Sequence, residues 1–298
     1  MSEPSSAQGP GPAAMDRYAV AGNPVAHSRS PDIHAAFARE TGQVLTYERL
    51  LCPLDAFEAT VRAFAAAGGR GCNVTVPFKF EAASLASRLT PRATLAGAVN
   101  VLRFDADGWL GDNTDGAGLV SDLQRNAGRP LAGLRMLLIG AGGASAGVLG
   151  SLVAARPAEI HIVNRSPDKA LALVASHQAF ADHHGVRLRS GGLDQTDGRY
   201  DVVINGTSSS LSGAGLPLPQ PDRLVLAAGG VAVDMMYGKP AQGFLRWAAD
   251  QGGPSACLRD GLGMLVEQAV ESFELWRGVR PDSAPVLAEL RRQVEAAC

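Results

Sequence analysis

Apolar residues fall along this chain in two kinds of run: short unbroken blocks, and longer stretches in which they recur at helical spacing. The blocks predict buried strands and the spaced stretches predict amphipathic helices. Tyr18 to Gly22 (YAVAG) is the first block and ends in a turn at Asn23-Pro24. A helix is expected next. Ser30 suits its N-cap, Pro31 its first position and Asp32 its first turn, with Ile33, Ala36 and Phe37 as the buried stripe and Gly42 as the stop. Leu45 to Leu51 alternates as a strand does. Leu54, Phe57, Val61 and Phe64 then keep helical spacing until Gly68-Gly69. Gly71 to Val76 is the next strand, and Ala98 to Phe104 with Trp109-Leu110 reads as a closing β pair. Up to Asp115 the chain therefore reads β-α-β-α-β with short extra strands.

A helix from Asp115 through LVSDLQRNAG leads to the block Met136–Ile139. Beyond it Glu159–Val163, Val186–Arg189, Asp201–Ile204 and Val231–Asp234 are strands. Helices fill the gaps, most clearly from a cap at Ser166 and Pro167 onward to Asp182. Strands alternating with helices predict an α/β protein with a parallel, doubly wound sheet. Helices at 241–250, 262–276 and 283–296 follow the last strand of that unit, so one or more can return to pack on the first.

Composition narrows the partners. At 298 residues there is chain for about two domains. A net charge of −2 and a pI near 6.3 speak against nucleic acid or an anionic membrane as the main partner. No apolar run approaches the roughly 20 residues of a membrane span. Cys52, Cys72, Cys257 and Cys298 lack C-x-x-C spacing and read as reduced thiols of a cytoplasmic protein. Residues 1–16, rich in Pro, Gly, Ser and Ala and without the basic start and apolar block of a signal peptide, are expected to be a disordered tail.

Met136 to Gly147 (MLLIGAGGASAG) runs a strand straight into a glycine turn (Gly140, Ala141, Gly142, Gly143) and a small-residue helix opening at Ala144. That is the context of a dinucleotide fingerprint: glycines let the backbone approach a pyrophosphate, whose charge meets the free N–H groups of the helix N-terminus. Ser145 replaces the third glycine, and no Lys-Ser or Lys-Thr makes it a P-loop. The bland alternative is a glycine turn that only packs closely. Where a ribose-binding Asp or Glu is usual, the next strand ends in Asn164-Arg165-Ser166, with Lys169 one turn on. A carboxylate there would repel a 2′-phosphate, whereas a guanidinium and a hydroxyl bind one, so NADP(H) is favoured over NAD(H). The alternative is a solvated basic turn with Ser166 as a helix cap.

Three polar clusters lie upstream at strand ends or turns, where α/β proteins place ligands. They are Ser28 with Ser30; Asn73, Thr75 and Lys79; and Asn100 with Asn113-Thr114-Asp115. Hydroxyls, amides, one ammonium and one carboxylate suit a small polyhydroxylated carboxylate. Capping by Ser30, Thr114 or Asp115 and a surface role for Lys79 are the alternatives. His27 and His34 flank the serines without metal-ligand spacing, and no metal site is expected.

The phrases GNPVAHSRSP, NVTVPFK, AGAVN, GDNTDG, GAGGAS, NRS, NGTSS, DMMYGKP and DGLGMLVEQA, in order from Tyr18 to Pro281, resemble shikimate dehydrogenase. The resemblance implies reversible NADPH-dependent reduction of 3-dehydroshikimate to shikimate. It also implies an N-terminal α/β substrate domain (17–115 with 261–298) and a Rossmann-type NADP-binding domain (116–260), with the C-terminal helices packing back on the first. By resemblance Ser28 and Ser30 bind the substrate carboxylate, with Tyr237 closing on that side. Asn73, Asn100, Asp115 and Lys79 hold the ring hydroxyls, with Thr75 nearby and Gln268 reaching in. Lys79 and Asp115 match the catalytic pair, and Gly261 and Met264 border the nicotinamide, a plain core role for Met264 remaining open.

The chain departs from the common pattern in places. Ala146 stands where many relatives carry Arg, Lys169 replaces a frequent Arg and loses bidentate geometry, Gly206 and Ser210 alter the run after Asn205, and Val101 replaces a usual Thr. A quinate-oxidising, NAD-using paralogue is the near rival. The serine pair and the missing acidic residue after Asn164-Arg165 lean against it. A non-catalytic sensor is the rival of another class, and retention of both Lys79 and Asp115 leans against that. A monomer or homodimer is expected.

Overall fold

The computed structural model describes residues 15–207, 225–252 and 256–296. Residues 1–14 of the expected tail, Ser210 and Cys298 lie outside the described residues. Asp16 belongs not to a tail but to the first strand, where its carboxylate pairs with Arg277 and Arg70.

The first half holds β1 (Asp16–Gly22), α1 (Ser30–Thr41), β2 (Leu45–Leu51), α2 (Phe57–Ala66), β3 (Gly69–Val74), α3 (Lys79–Leu85), β4 (Arg88–Leu89), α4 (Pro91–Ala96), β5 (Val101–Arg103) and β6 (Leu110–Asp112). They build a mixed sheet in the order β2-β1-β3-β5-β6-β4. β1 runs parallel to β2 and β3, while β5 is antiparallel to both its neighbours. A cluster of Ala19, Ala21, Phe57, Val61, Phe64, Cys72, Val74 and Phe78 fills one side.

The chain then crosses through α5 (Asp115–Ser121) to β7 (Arg135–Ile139), α6 (Gly143–Ala154), β8 (Glu159–Val163), α7 (Pro167–His184), β9 (Arg187–Gly191), β10 (Tyr200–Asn205), β11 (Leu226–Asp234), α8 (Gln242–Gly252) and β12 (Cys257–Arg259). This sheet is wholly parallel, in the order β12-β11-β10-β7-β8-β9. That is the doubly wound order whose reversal, between β7 and β10, opens a crevice at the strands' carboxyl ends. β7 explains itself: Met136 and Leu138 face Leu119, Leu149 and Leu152, while Leu137 and Ile139 face Phe244 and Ala248. A central parallel strand covered on both faces needs such an unbroken apolar run.

The last helices, α9 (Leu262–Arg277) and α10 (Ser283–Ala296), return to the first sheet. Leu262, Val266, Val270 and Phe273 pack on Ile33 and Phe37 of α1, with Val286 and Leu290 closing the cluster. The Trp276 indole N–H donates to the Leu102 carbonyl at 3.1 Å. No helix among the described residues is long and apolar enough to cross a membrane.

Several local expectations change. Ser30 is not the N-cap of α1. Arg29 is, without a side-chain cap bond, because the Ser30 hydroxyl is turned toward Ser28. Ser166 takes the cap position of α7 but makes no cap bond. α2 starts at Phe57, leaving Leu54 70 % exposed ahead of it. The strand expected to reach Val76 stops at Val74. α3, β4, α4 and β12 are too short to carry a period and are new. The helix from Asp115 widens into a π turn over Asp122–Asn126. There the buried Asp122 carboxylate takes two bonds from Arg259 and lies so close to Gly263 that any Cβ on Gly263 would meet it.

Candidate active site

Lys79 opens α3 and Asp115 opens α5, which points both side chains into the space between the two sheets. The Lys79 ammonium donates to Asp115 Oδ2 at 2.5 Å. The lysine side chain is 18 % exposed and the carboxylate 7 %, so the pair is sheltered yet reachable. Asp115 Oδ1 accepts from Asn100 Nδ2 at 2.8 Å. Asn100 precedes β5, and its own Oδ1 accepts the Thr114 backbone N–H at 2.8 Å. Gln268, on the facing side of α9, presents Oε1 to Asn100 and Thr114 at 3.3 Å each and fastens its Nε2 to the Leu265 carbonyl.

Asn73, at the end of β3, donates to Ser272 Oγ and the Asn100 carbonyl, and its Oδ1 accepts the Tyr47 hydroxyl at 2.7 Å. Ser28 and Ser30 face each other, Oγ to Oγ at 3.2 Å. Ser30 is buried, and so are Asn73, Asn100, Thr114, Asp115, Gln268 and Ser272. None of Ser30, Thr114 and Asp115 caps a helix through its side chain. Ser30 faces Ser28, while Thr114 and Asp115 face Asn100, and groups buried this way must be satisfied by such contacts or by what they bind.

Thr75 is not joined to the network by any described hydrogen bond. It lies one residue past β3, and its methyl packs so tightly on Gly22 that a Cβ there would be 2.3 Å away. Tyr237 is half-buried, packed on the α1–α9 cluster. Burial raises its phenol pKa, while Arg29, through its charge and its backbone N–H, and Arg49 pull it down. Tyr47 and Ser272 belong to the network and escaped sequence reasoning. A tyrosine alternating inward on a half-buried strand was the available signal for Tyr47, since a buried phenol needs a partner.

The loop carrying Asp115 is held from below. Asp112 accepts from Thr90, from the Asn113 backbone N–H at 2.7 Å and from both ends of the Arg92 fork. Burial works against the Asp112 charge, but the Arg92 guanidinium outweighs it and holds the carboxyl below its ordinary range. Arg92 also reaches Glu271 on α9 at 3.0 Å, tying the loop to the helix that carries Gln268.

The glycine turn stands directly opposite. Ile139 pairs with Val163, so Gly140 and Asn164 leave their strands level, and Gly140 N–H donates to the Val163 carbonyl at 2.7 Å. Gly140 has φ +104° and sits against the Gly206 backbone, a position only glycine fills without strain. Gly142, by contrast, faces open space, and α6 begins beyond it with Ala144 in its first turn and no side-chain cap. The Ser145 hydroxyl in the first turn is fully buried against Gly206, with no hydrogen-bond partner among the described residues. Uncapped N–H groups and open room over Gly142 fit a bound pyrophosphate. Arg165, Ser166 and Lys169 are exposed just past β8. Gly147 of α6 abuts the catalytic-pair candidate itself: a Cβ there would stand 3.0 Å from Asp115 Oδ2. Phe80, next to Lys79, reaches across to Gly143. At the start of α9, Gly261 packs against the Met235 carbonyl, and Met264 is buried in the second sheet's core.

A doubly wound sheet with its glycine turn set against a lysine–carboxylate pair defines the class, a dinucleotide-dependent α/β oxidoreductase. The comparisons narrow it. Residues 20–102 match the family described as "Shikimate dehydrogenase substrate binding domain", 122–212 "Shikimate / quinate 5-dehydrogenase" and 261–291 "Shikimate 5'-dehydrogenase C-terminal domain". A "Shikimate dehydrogenase (NADP(+))" of Methylibium petroleiphilum is 60 % identical over 291 residues, covering 96 % of this chain and 97 % of the relative. Among solved structures, an Ael1 enzyme from Pseudomonas putida superposes with a TM-score of 0.82 at 44 % identity, over 92 % of this chain and 98 % of that one. The shikimate 5-dehydrogenase of Thermus thermophilus, in complex with NADP(H) and shikimate, gives 0.77 at 32 %, over 93 % and 99 %. The chain belongs to the shikimate dehydrogenase family.

Proposed function

We propose that the chain catalyses the reversible, NADP-dependent interconversion of shikimate and 3-dehydroshikimate in the shikimate pathway, as a cytoplasmic enzyme, monomer or homodimer. Residues 17–115 with 261–298 form its substrate domain and 116–260 its cofactor domain. Both rest on the relatives and on one observation above all: the Lys79–Asp115 pair, held by Asn100 and lying one glycine's width from the helix that opens the cofactor turn.

NADP(H), when bound, supplies or takes up the hydride. Gly140, Ala141, Gly142, Gly143 and Ala144 hold its pyrophosphate, and Asn164, Arg165, Ser166 and Lys169 face its ribose 2′-phosphate, with Gly261 and Met264 at the nicotinamide end. Ser28, Ser30 and Tyr237 take the substrate carboxylate. Asn73, Asn100 and Gln268 orient the ring hydroxyls, with Thr75 at their edge. As hydride reaches the ketone carbon, its oxygen gains negative charge and needs a proton. Lys79 stands where it can stabilise that oxygen and deliver the proton, and Asp115 fixes the ammonium and accepts the hydrogen bond of the resulting hydroxyl. In the oxidising direction the same pair takes the hydroxyl proton.

Lys79→Ala should lower kcat for shikimate with NADP by about 10²–10⁴-fold, the usual worth of positioned acid–base help. Steady-state kinetics reads it. A rise confined to KM would make Lys79 a binding residue and sink the assigned role.

A further inference from the structure

Every group so far assigned to the substrate carboxylate is neutral: the hydroxyls of Ser28, Ser30 and Tyr237. A carboxylate that gives up water for neutral donors loses hydration that a nearby positive charge offsets. Two guanidiniums stand at this end of the site, and they differ. Arg29, between the serines, faces Asp32 at 3.4 Å, so its charge is shared. Arg49, on β2, has no carboxylate partner among the described residues. Instead its Nε and Nη2 both donate to the Ser28 carbonyl oxygen at 3.1 and 2.7 Å. Two bonds from one planar fork fix the guanidinium beside Ser28 while leaving its whole charge unneutralised. Arg29 and, more weakly, Arg49 both favour the ionised form of the Tyr237 phenol, so the positive field reaches that side of the carboxylate locus too. Helix α1 begins there too, its N-cap Arg29 making no side-chain cap bond and its Ser30 N–H donating to the Ser28 hydroxyl at 3.3 Å, and its positive end adds to the same field.

We propose that Arg49 is the cation that draws in and anchors the substrate carboxylate, acting through space from its seat on the Ser28 carbonyl. This rests on the substrate reading above. Arg49 is a positioning and electrostatic residue, remote from the reacting carbon, so its effect falls on KM and not on kcat. It is exposed, so salt screens it.

The test compares the full-length chain with Arg49→Met and Arg49→Lys, using shikimate and its uncharged methyl ester as substrates or competitive inhibitors, at low and high salt. Arg49→Met should raise KM for shikimate about 5- to 10-fold at low salt, the scale of one unit charge acting across several ångströms of partly screened medium. The gap to wild type should narrow as salt rises, Arg49→Lys should recover most of the loss, and affinity for the ester should hardly change. If Arg49→Met weakens acid and ester alike, or its effect ignores salt, Arg49 only braces the Ser28 loop and the proposal is overturned. If the wild-type chain with NADP turns over neither compound, the substrate reading itself fails and takes this inference with it.

Discussion

Asp115 commits one carboxylate oxygen to Lys79 and the other to Asn100, and this division is what makes the pair directional. The ammonium cannot swing away without leaving a buried carboxylate half-satisfied, which is costly. Of the residues singled out from sequence, Asn73, Lys79, Asn100, Asp115 and Gln268 form one connected network; the first four stand at or beside the end or start of an element, where short polar motifs are readable, and Gln268 was carried by the resemblance alone. Thr75 was placed by strand alternation, which fails one residue past the strand's end. Ser272 was unreadable: a serine amid a helix's apolar stripe looks like a core position until β3 is known to lie against it. His34 behind the network shows another kind of burial. It lies flush on Tyr47, ring centroids 4.3 Å apart, with Phe37, Phe273 and Trp276 around it. Neither ring nitrogen has a well-formed hydrogen bond, although Asn73 lies close enough to favour the protonated form slightly. Burial pushes its pKa down from 6.5 to about 3. Below pH 6.5 the unfolded chain therefore binds a proton that the folded chain refuses. The stability due to neutral His34 is complete above that pH and is lost as pH falls from there toward 3. Denaturant titrations should find about 1 kcal/mol lost per pH unit across that window from this residue. His34→Phe should flatten that slope, whatever it does to stability at neutral pH, and an unchanged slope would remove His34 as its source.

At the scale of elements, α6 faces both proposed ligand sites. Its first turn carries uncapped N–H groups, proposed to meet the cofactor, while Gly147, on the turn that follows, lets it lie against Asp115. Two alanine substitutions separate these roles. Gly142→Ala meets nothing in the fold, so it should leave thermal stability intact and raise KM for NADP about tenfold or more, by filling room the pyrophosphate needs. Gly147→Ala presses on Asp115 and Asn113 and should instead lower kcat, about tenfold or more, by shifting the pair. Equal effects of both on KM for NADP would contradict this division. The strand, turn and helix of this unit were legible because an unbroken apolar block and three glycines mark them. The π turn at Asp122 was not, and the contacts its carboxylate makes, with Arg259 and Gly263, lie far along the chain.

For the whole molecule, two sheets were foreseeable from the alternation of strands and helices, and so was the return of the C-terminal helices. What alternation leaves open is the pairing inside the first sheet, where β5 turns antiparallel and β4, only two residues long, joins β6. Hydrogen bonds with distant partners decide that, not local pattern. Asp115 opens α5, where the chain crosses to the second sheet, and Gln268 lies within α9, after it crosses back, so their network is assembled where the halves meet. The proposed reaction puts a cofactor on one half and a substrate on the other. Steady-state kinetics with shikimate and quinate, each against NADP and NAD, therefore tests the central claim most directly. The account predicts the highest kcat/KM for shikimate with NADP. A preference for quinate with NAD would contradict it.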